Sequence, residues 1–496
     1  MSDQSRALPG RPSLRYLKLE AKRRLSAGEF ATLDLAQLAI AREHGLPSWA
    51  ALKQHIDAPA GHALTQVRWV LSRFAVAGTP EWTPPDEQEL RRHFHDDYLR
   101  LVPADTVTGL LSGVAARLRA GLADVWAEPL RLRARVADLR IEAATEADPP
   151  HRLRQLRLYP LETKVHDPRV AAPPTRQLGA VPGDAAAVAA DSFTELGLVG
   201  LTVAGATGDG AVWVTARGWA SLDHAAELLP DHRFPAYSIT KLITAAAVLR
   251  LVADGRVRLD EPANASLHTI RLANDATVRE LLSHTGGVDS LPSMFAEAVP
   301  DLVSVTGPVA ACGGTRGTFA YGHGGYALLG QLVADTMGSP YEDAATRLVL
   351  EPLGMHTSWF PRSVPATGAA TGHRLTDDGS FAPEPTRIST VPAASGMWTT
   401  AVDLVRFGLG WSSLLPDALA REALQPQAEV DEFGGQAGLG WMLMRTKDVA
   451  GHPGAGPGYS ASLIIRPGLG SQPWVILTNR KVLVEPINER LALPIT

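Results

Sequence analysis

The apolar run 242–252 constrains the fold of this chain more than any other segment, because a helix of this composition has to be buried. Pro235 stops any earlier helix, since its ring has no N–H and disfavours helical geometry in the residue before it. The pattern therefore predicts a buried helix that starts after Pro235 and ends near Gly255. Ser238 then lies in the first turn, with Lys241 one turn further along on the same face.

The pair Ser238 and Lys241 is a candidate site for covalent chemistry. A serine hydroxyl is a weak nucleophile until a base takes its proton, and a lysine does this only when burial lowers its pKa. The chain has only seven lysines, and this one stands in an apolar segment where a solubilising lysine is out of place. The alternative is a helix cap with a solvated lysine, because Ser-x-x-Lys also occurs by chance, and the pair alone leaves both interpretations open.

Length, charge and cysteine content limit the class of protein. The 496 residues exceed what one hydrophobic core accommodates, so two or three domains are expected. A net charge of −5 gives no electrostatic reason to expect a nucleic-acid partner. The single Cys312 excludes an intrachain disulfide and a multi-cysteine metal site. Residues 1–24 lack the apolar core of a signal peptide, and no run approaches the roughly 20 residues of a membrane span, so a cytoplasmic protein is expected.

Composition and periodicity divide the chain into four parts. Residues 1–60 are predicted to form a helical segment, and residues 61–168 a small α+β accessory domain. The proline- and glycine-rich stretch 169–184 is predicted to be a linker. Residues 185–496 have strands near both ends and helices between them, which indicates one antiparallel sheet assembled from both ends of the domain.

The accessory domain shows helical patterns followed by two strand-like segments, 130–142 and 151–161. His93 and Asp97 share a predicted helical face within it. Two candidate ligands do not make a metal site, so a solvated helix is the favoured interpretation and no metal is expected.

Two glycine-rich segments of the larger domain carry the groups that a serine–lysine pair needs around it. Residues 321–323, Tyr-Gly-His, precede an apolar helix at 327–336. Residues 451–458 have almost no side chains, which lets a substrate approach the backbone closely. A serine–lysine pair needs a proton shuttle, an oxyanion hole and a substrate-facing wall, and these two segments are the candidates to supply them.

Residues 185–490 resemble the serine β-lactamase and penicillin-binding-protein superfamily, specifically class C β-lactamases, family VIII esterases and D-aminopeptidases. Ser-Ile-Thr-Lys at 238–241 matches Ser-x-x-Lys, Tyr-Gly-His at 321–323 falls where Tyr-x-Asn belongs, and His-Pro-Gly at 452–454 falls where Lys/His-Thr/Ser-Gly belongs. Three further segments look like the family's landmarks: 281–287, 351–355 and 395–404. The resemblance implies an α+β fold, an α/β sandwich in which helices flank an antiparallel sheet beside an all-helical domain.

The resemblance also implies roles for individual residues. Ser238 is the acylated nucleophile, and Lys241 and Tyr321 share the transfer of its proton. The backbone N–H groups of Ser238 and Ala455 form the oxyanion hole, and no metal or cofactor is needed. His284 is interpreted as a structural histidine. The implied substrate-binding residues come from the second and third motifs: His323, His452 and Gly454.

Two departures from the family's pattern bear on the substrate. His323 replaces the asparagine that holds a substrate amide, and His452 with Pro453 replaces a lysine and a hydroxyl residue. Both histidines are expected to titrate near the ordinary histidine pKa of about 6.5, which weakens carboxylate recognition. The chain is therefore interpreted as a serine hydrolase for a small-molecule ester, amide or lactam, with lactam turnover the weakest of these. The alternatives are a non-catalytic binding protein of the same fold, and a biosynthetic acyltransferase or peptide cyclase.

Overall fold

The computed structural model describes most of the chain and divides it into two compact units, 1–161 and 162–496. The residues described are 14–30, 32–43, 49, 61–162, 164–288, 295–296, 302–311, 315–365, 367–430, 435–444, 448–467 and 472–492. Cys312 lies outside them.

The first unit has short helices followed by an antiparallel sheet of four strands in the order β1-β2-β3-β4. The helices are α1 Leu14–Ser26, α2 Leu33–Glu43, α3 His62–Phe74, α4 Glu87–His93, α5 Asp96–Leu101, α6 Ala104–Gly113 and α7 Ala115–Leu118. The strands are β1 Ala123–Ala127, β2 Arg131–Val136, β3 Leu139–Thr145 and β4 Leu153–Pro160. The single strand predicted at 130–142 is wrong: the chain reverses after Val136, and Ala137 takes a φ of +51° in a turn that alternation of side chains does not reveal.

The second unit is built on one large sheet. Its strands are β5 Thr175–Leu178, β6 Gly200–Ala206, β7 Val212–Ser221, β8 Ala226–Glu227, β15 Ala428–Val430, β16 Gly435–Ala437, β17 Met442–Met444, β18 Val449–Gly456, β19 Tyr459–Arg466 and β20 Gln472–Thr478. The order is β15-β16-β17-β18-β19-β20-β6-β7-β5, with β8 paired to β7. Thr202 in β6 stands opposite Leu477 in β20, which confirms the prediction of an antiparallel sheet assembled from both ends of the domain.

The stretch predicted as a linker, 169–184, belongs to the second unit. Residues Thr175–Leu178 form the edge strand β5, and Thr175 pairs with Arg217 of β7. Gly183 begins the helix α8, Gly183–Glu195, with Pro182 at its N-cap. Prolines flank these elements without interrupting them, since a proline before an edge strand or a helix costs no ladder or helical hydrogen bond.

Short strands and helices between β8 and β15 make up the rest of this unit. The minor strands are β9 Phe234–Pro235, β10 Phe295–Ala296, β11 His373–Leu375, β12 Phe381–Pro383, β13 Ile388–Ser389 and β14 Trp398–Thr399. The helices are α9 Thr240–Ala253, α10 Val278–Leu282, α11 Leu302–Ala311, α12 Gly324–Met337, α13 Tyr341–Ala345, α14 Pro392–Ser395, α15 Ala401–Gly410, α16 Asp417–Ala423 and, after β20, α17 Glu485–Ala492. Among the described helices, none combines the length and the hydrophobicity needed to cross a lipid bilayer.

Helix α9 lies at the centre of the largest hydrophobic core. Every residue from 240 to 249 is buried, as the apolar run predicts. It packs against α12 and α14, while α15 covers β20 and β6. This packing brings the second and third sequence motifs to the N-terminal end of α9, where Ser238 lies.

Candidate active site

Ser238 lies in a single 3₁₀ turn, Tyr237–Ile239, which runs directly into α9. Ser238 is half-buried, and the side chain of Lys241, one turn further on, is fully buried. Burial lowers the pKa of Lys241 well below its usual value of 10.5. The solvated-lysine alternative is therefore excluded.

The amine of Lys241 contacts three groups. Its Nζ lies 3.2 Å from Ser238 Oγ, 3.0 Å from His323 Nδ1 and 3.1 Å from the carbonyl oxygen of Ala394. A neutral amine has two N–H donors and one lone pair, and a carbonyl oxygen can only accept. When Nδ1 of a neutral His323 accepts the second N–H, the lone pair of Lys241 faces the hydroxyl of Ser238. This arrangement allows Lys241 to take the serine proton.

Tyr321 reaches the same hydroxyl from the loop before α12. Its phenol interacts with the side chain of Ser238, and its ring centroid lies 5.0 Å from Lys241 Nζ. Although 41% of Tyr321 is exposed, packing around the phenol raises its pKa above the usual 10, and the interaction with Ser238 offsets only part of this rise. Lys241 is therefore the better proton acceptor, and a protonated Tyr321 is placed to donate.

His323 and His452 are both neutral, so the expectation that they titrate near neutrality is wrong. Burial, with a contribution from nearby Lys241, lowers the pKa of each to about 3. Nδ1 of His452 donates to the carbonyl oxygen of Pro453 at 2.6 Å. Its Nε2 is buried, and within the described residues it has no hydrogen-bond partner. The third motif thus presents no cation to a substrate carboxylate.

His284 supports the loop that carries Tyr321. Its Nδ1 accepts a hydrogen bond of 3.4 Å from the backbone N–H of Gly322. Its ring centroid lies 4.7 Å from that of Tyr321 and 5.1 Å from that of Tyr326. Burial lowers the pKa of His284, so it is a neutral packing group that fixes the position of Tyr321.

Strand β18 docks against the turn that holds Ser238. A Cβ at Gly454 would lie 2.2 Å from the carbonyl oxygen of Ala236, and a Cβ at Gly456 would lie 2.4 Å from the ring of Tyr237. Only glycine permits so close an approach of two backbones. Ala455, between them, is exposed and stands opposite Ser460 of β19. The structure thus brings all the sequence-predicted site residues to one place.

The sequence did not reveal two groups of this site. The carbonyl of Ala394 has no residue-type signature, although it lies beside the landmark segment 395–404. The contact of the Tyr237 ring with Gly456 is also not evident from the sequence, because a motif shows neither the φ angle of a residue nor its contact with a distant strand.

His93, in the first unit, is not part of a candidate metal site among the described residues. His93 Nδ1 lies 2.8 Å from Gln66 Oε1, and its ring stacks on Trp69 at 3.7 Å, so it is a packed side chain and not a solvated one. Asp97 belongs to the next helix, α5. In the part of the chain that the structure describes, no three His, Cys, Asp or Glu side chains are grouped so as to hold a metal ion.

Comparison with known proteins places the second unit in a family. The sequence model described as Beta-lactamase matches residues 176–493, well over half of the chain. The chain belongs to the β-lactamase family. The predicted superfamily and its α+β fold are confirmed.

The curated relatives of this β-lactamase-family protein include a penicillin-binding protein and an esterase. The chain is 28% identical over 277 residues to penicillin-binding protein 4 of Amycolatopsis lactamdurans, a match that covers 48% of this chain and 70% of that protein. It is 31% identical over 234 residues to the esterase EstB of Burkholderia gladioli, which covers 41% of this chain and 58% of that protein. The chain thus spans 70% of the length of the first relative and 58% of the second.

Among solved structures, the D-amino acid amidase of Ochrobactrum anthropi SV3 has the same fold. The two superpose with a TM-score of 0.55 at 22% identity, over 62% of this chain and 95% of the amidase.

Proposed function

We propose that this protein is a serine hydrolase that forms an acyl-enzyme on Ser238 and acts on a small, uncharged ester or amide. The observation that carries the proposal is the contact of 3.2 Å between Ser238 Oγ and the amine of Lys241, whose pKa burial lowers well below its usual value. The names of the relatives, which include an esterase and a D-amino acid amidase, support the reaction class.

Acylation begins with transfer of the Ser238 proton to Nζ of Lys241, while Oγ bonds to the substrate carbonyl carbon. The negative charge that develops on the carbonyl oxygen is stabilised by the backbone N–H groups of Ser238 and Ala455. When the tetrahedral intermediate collapses, the bond to the leaving group breaks. The leaving group takes its proton from Tyr321, which Lys241 then reprotonates. Water repeats the sequence on the acyl-enzyme and releases the acid.

The charge of the cleft supports an uncharged substrate. His323 and His452 are neutral at pH 7, and Pro453 has neither a hydroxyl nor an N–H to offer. A β-lactam carries a carboxylate that needs a cation or several donors at the third motif, and this motif supplies neither. We therefore expect lactam turnover to be weak compared with that of neutral esters and amides.

Three variants test the proposal with a p-nitrophenyl ester and a fluorophosphonate. The wild type is expected to release p-nitrophenol and to gain one adduct by intact mass. Ser238→Ala is expected to do neither, and Lys241→Met to lower kcat by about 10²–10⁴-fold, the usual contribution of a general base. The control Ser413→Ala, at an exposed serine, should match the wild type.

The outcomes separate this proposal from its alternatives. A wild type that neither forms an adduct nor turns over ester is a binding protein, and equal labelling of Ser238→Ala removes Ser238 as the nucleophile. An acyltransferase or peptide cyclase would form the adduct, yet pass the acyl group to an added amine faster than to water.

A further inference from the structure

Tyr237, the residue before Ser238, has a backbone conformation that is rare for a bulky side chain. Its φ is +44°, in the left-handed region that glycine adopts without cost. Tyrosine there is strained, and such strain persists only where the surrounding structure holds it. A glycine would remove the strain, so the Tyr237 side chain must make contacts that hold the turn in this form.

Two of the contacts of Tyr237 lie at the end of β18 and in the turn that follows it, and the ring also faces that of Tyr459 in β19, with centroids 6.2 Å apart. The ring of Tyr237 covers Gly456 so closely that a Cβ there would be 2.4 Å from Cζ and 2.5 Å from Cε1. The hydroxyl donates to the carbonyl oxygen of Pro457 at 3.1 Å. The side chain thus extends from the nucleophile turn to the residues that follow Ala455 directly.

We propose that Tyr237 is a positioning residue, which sets the separation between the two backbone N–H groups of the oxyanion hole, those of Ser238 and Ala455. The two donors belong to different segments, so their separation depends on how these segments dock. Gly454 against Ala236 fixes the closest approach, because any shorter distance brings backbone atoms into collision. The hydrogen bond from Tyr237 to Pro457 opposes separation. Together they limit movement of β18 in both directions.

The inference rests on the proposed acylation at Ser238 and goes beyond it. An oxyanion-hole donor works only when it lies about 2.7–3.1 Å from the oxyanion, so a small shift of β18 affects the transition state more than substrate binding. Loss of the Tyr237 ring is therefore expected to lower kcat and to leave KM nearly unchanged.

Three variants separate positioning from stability. Tyr237→Ala and Tyr237→Gly both remove the ring, but only glycine relieves the strain at this φ, so the glycine variant should melt at the higher temperature. Tyr237→Phe keeps the ring and removes the hydroxyl with its hydrogen bond to Pro457. Each is assayed for kcat and KM with a p-nitrophenyl ester, and for the inhibition constant of an alkylboronic acid, whose tetrahedral adduct on Ser238 places an oxygen in the hole.

The alanine and glycine variants are expected to lose about tenfold or more in kcat, and a similar factor in boronate affinity, to the same extent in both. The phenylalanine variant is expected to lose roughly two- to tenfold, the value of one neutral hydrogen bond. A kcat that follows melting temperature instead, with glycine close to the wild type, would overturn the positioning role.

The positioning role would also be overturned if the phenylalanine and glycine variants had the same kcat and boronate affinity as the wild type. The fluorophosphonate adduct of the wild type distinguishes failure of the proposed function from failure of the positioning role of Tyr237. Its absence overturns both the proposed function and the role of Tyr237, whereas its presence, with unchanged rates in the variants, overturns only the latter.

Discussion

Replacing His452 by asparagine should make the protein less sensitive to acid. His452 is 1% exposed, and burial lowers its pKa to about 3 from the ordinary 6.5. As the pH falls through 6.5, the unfolded chain takes up a proton on this histidine, and the folded protein does not until about pH 3. The unfolding free energy therefore falls with pH throughout this interval, and full stability is present only above it.

The magnitude follows from the two pKa values. Each pH unit within the interval costs about 1.4 kcal/mol for each such histidine, so the change from pH 7 to pH 5 removes about 2 kcal/mol through His452 alone. Against a typical total of 5–15 kcal/mol, this is a large loss. In His452→Asn, the side-chain amide can donate to the Pro453 carbonyl in place of Nδ1 and has no proton to gain.

Denaturant unfolding of the full chain at pH 7, 6 and 5 measures the effect. The wild type should lose about 2 kcal/mol more than His452→Asn between pH 7 and pH 5, and the contribution of the first unit cancels in the difference. The exposed His356 provides the control, since His356→Asn should follow the wild type. Equal losses in the wild type and His452→Asn would show that His452 is protonated in the folded protein, and would refute the neutral cleft.

Two further substitutions test the packing of the second unit. Gly454→Ala places a methyl group 2.2 Å from the Ala236 carbonyl oxygen, so it should abolish most esterase activity and cost about 1–3 kcal/mol of unfolding free energy. Gly208→Ala, where a methyl group meets nothing within 4 Å, should change neither, and an active Gly454→Ala would contradict the close docking of β18. The fully buried carboxylate of Asp403 accepts four hydrogen bonds, so Asp403→Ala should cost about 2–4 kcal/mol in denaturant unfolding, and an unchanged midpoint would contradict this.

The placement of Ser238 and Lys241 could be predicted, because residues next to them in sequence determine it. Pro235 and the apolar run place Ser238 and Lys241 on one buried face, whatever surrounds them. Strand-like segments near both ends of the domain predict the sheet, since strands need partners and only those segments were available. The prolines of 169–184 suggested a linker, because nothing in the local sequence shows that Thr175–Leu178 pairs with β7.

The charge states could not be predicted, because they depend on burial. The sequence shows two histidines with ordinary side chains, and only the folded protein encloses His323 and His452 and places Lys241 beside them. The same holds for the strained φ of Tyr237, which depends on a strand more than two hundred residues away in sequence. Motifs therefore identify the reaction class, whereas substrate charge is set by tertiary packing.

The pairing of β6 with β20 has a consequence for synthesis of the protein. At 5–20 residues per second, the ribosome completes Ser238 and the helix α9 that follows it roughly 10–40 s before Ala455 is made. During this time the nucleophile has no oxyanion strand, and β6 has no partner on the side that β20 later occupies. The nascent chain therefore carries an incomplete site next to an open sheet edge, and the last strands to be translated close both together.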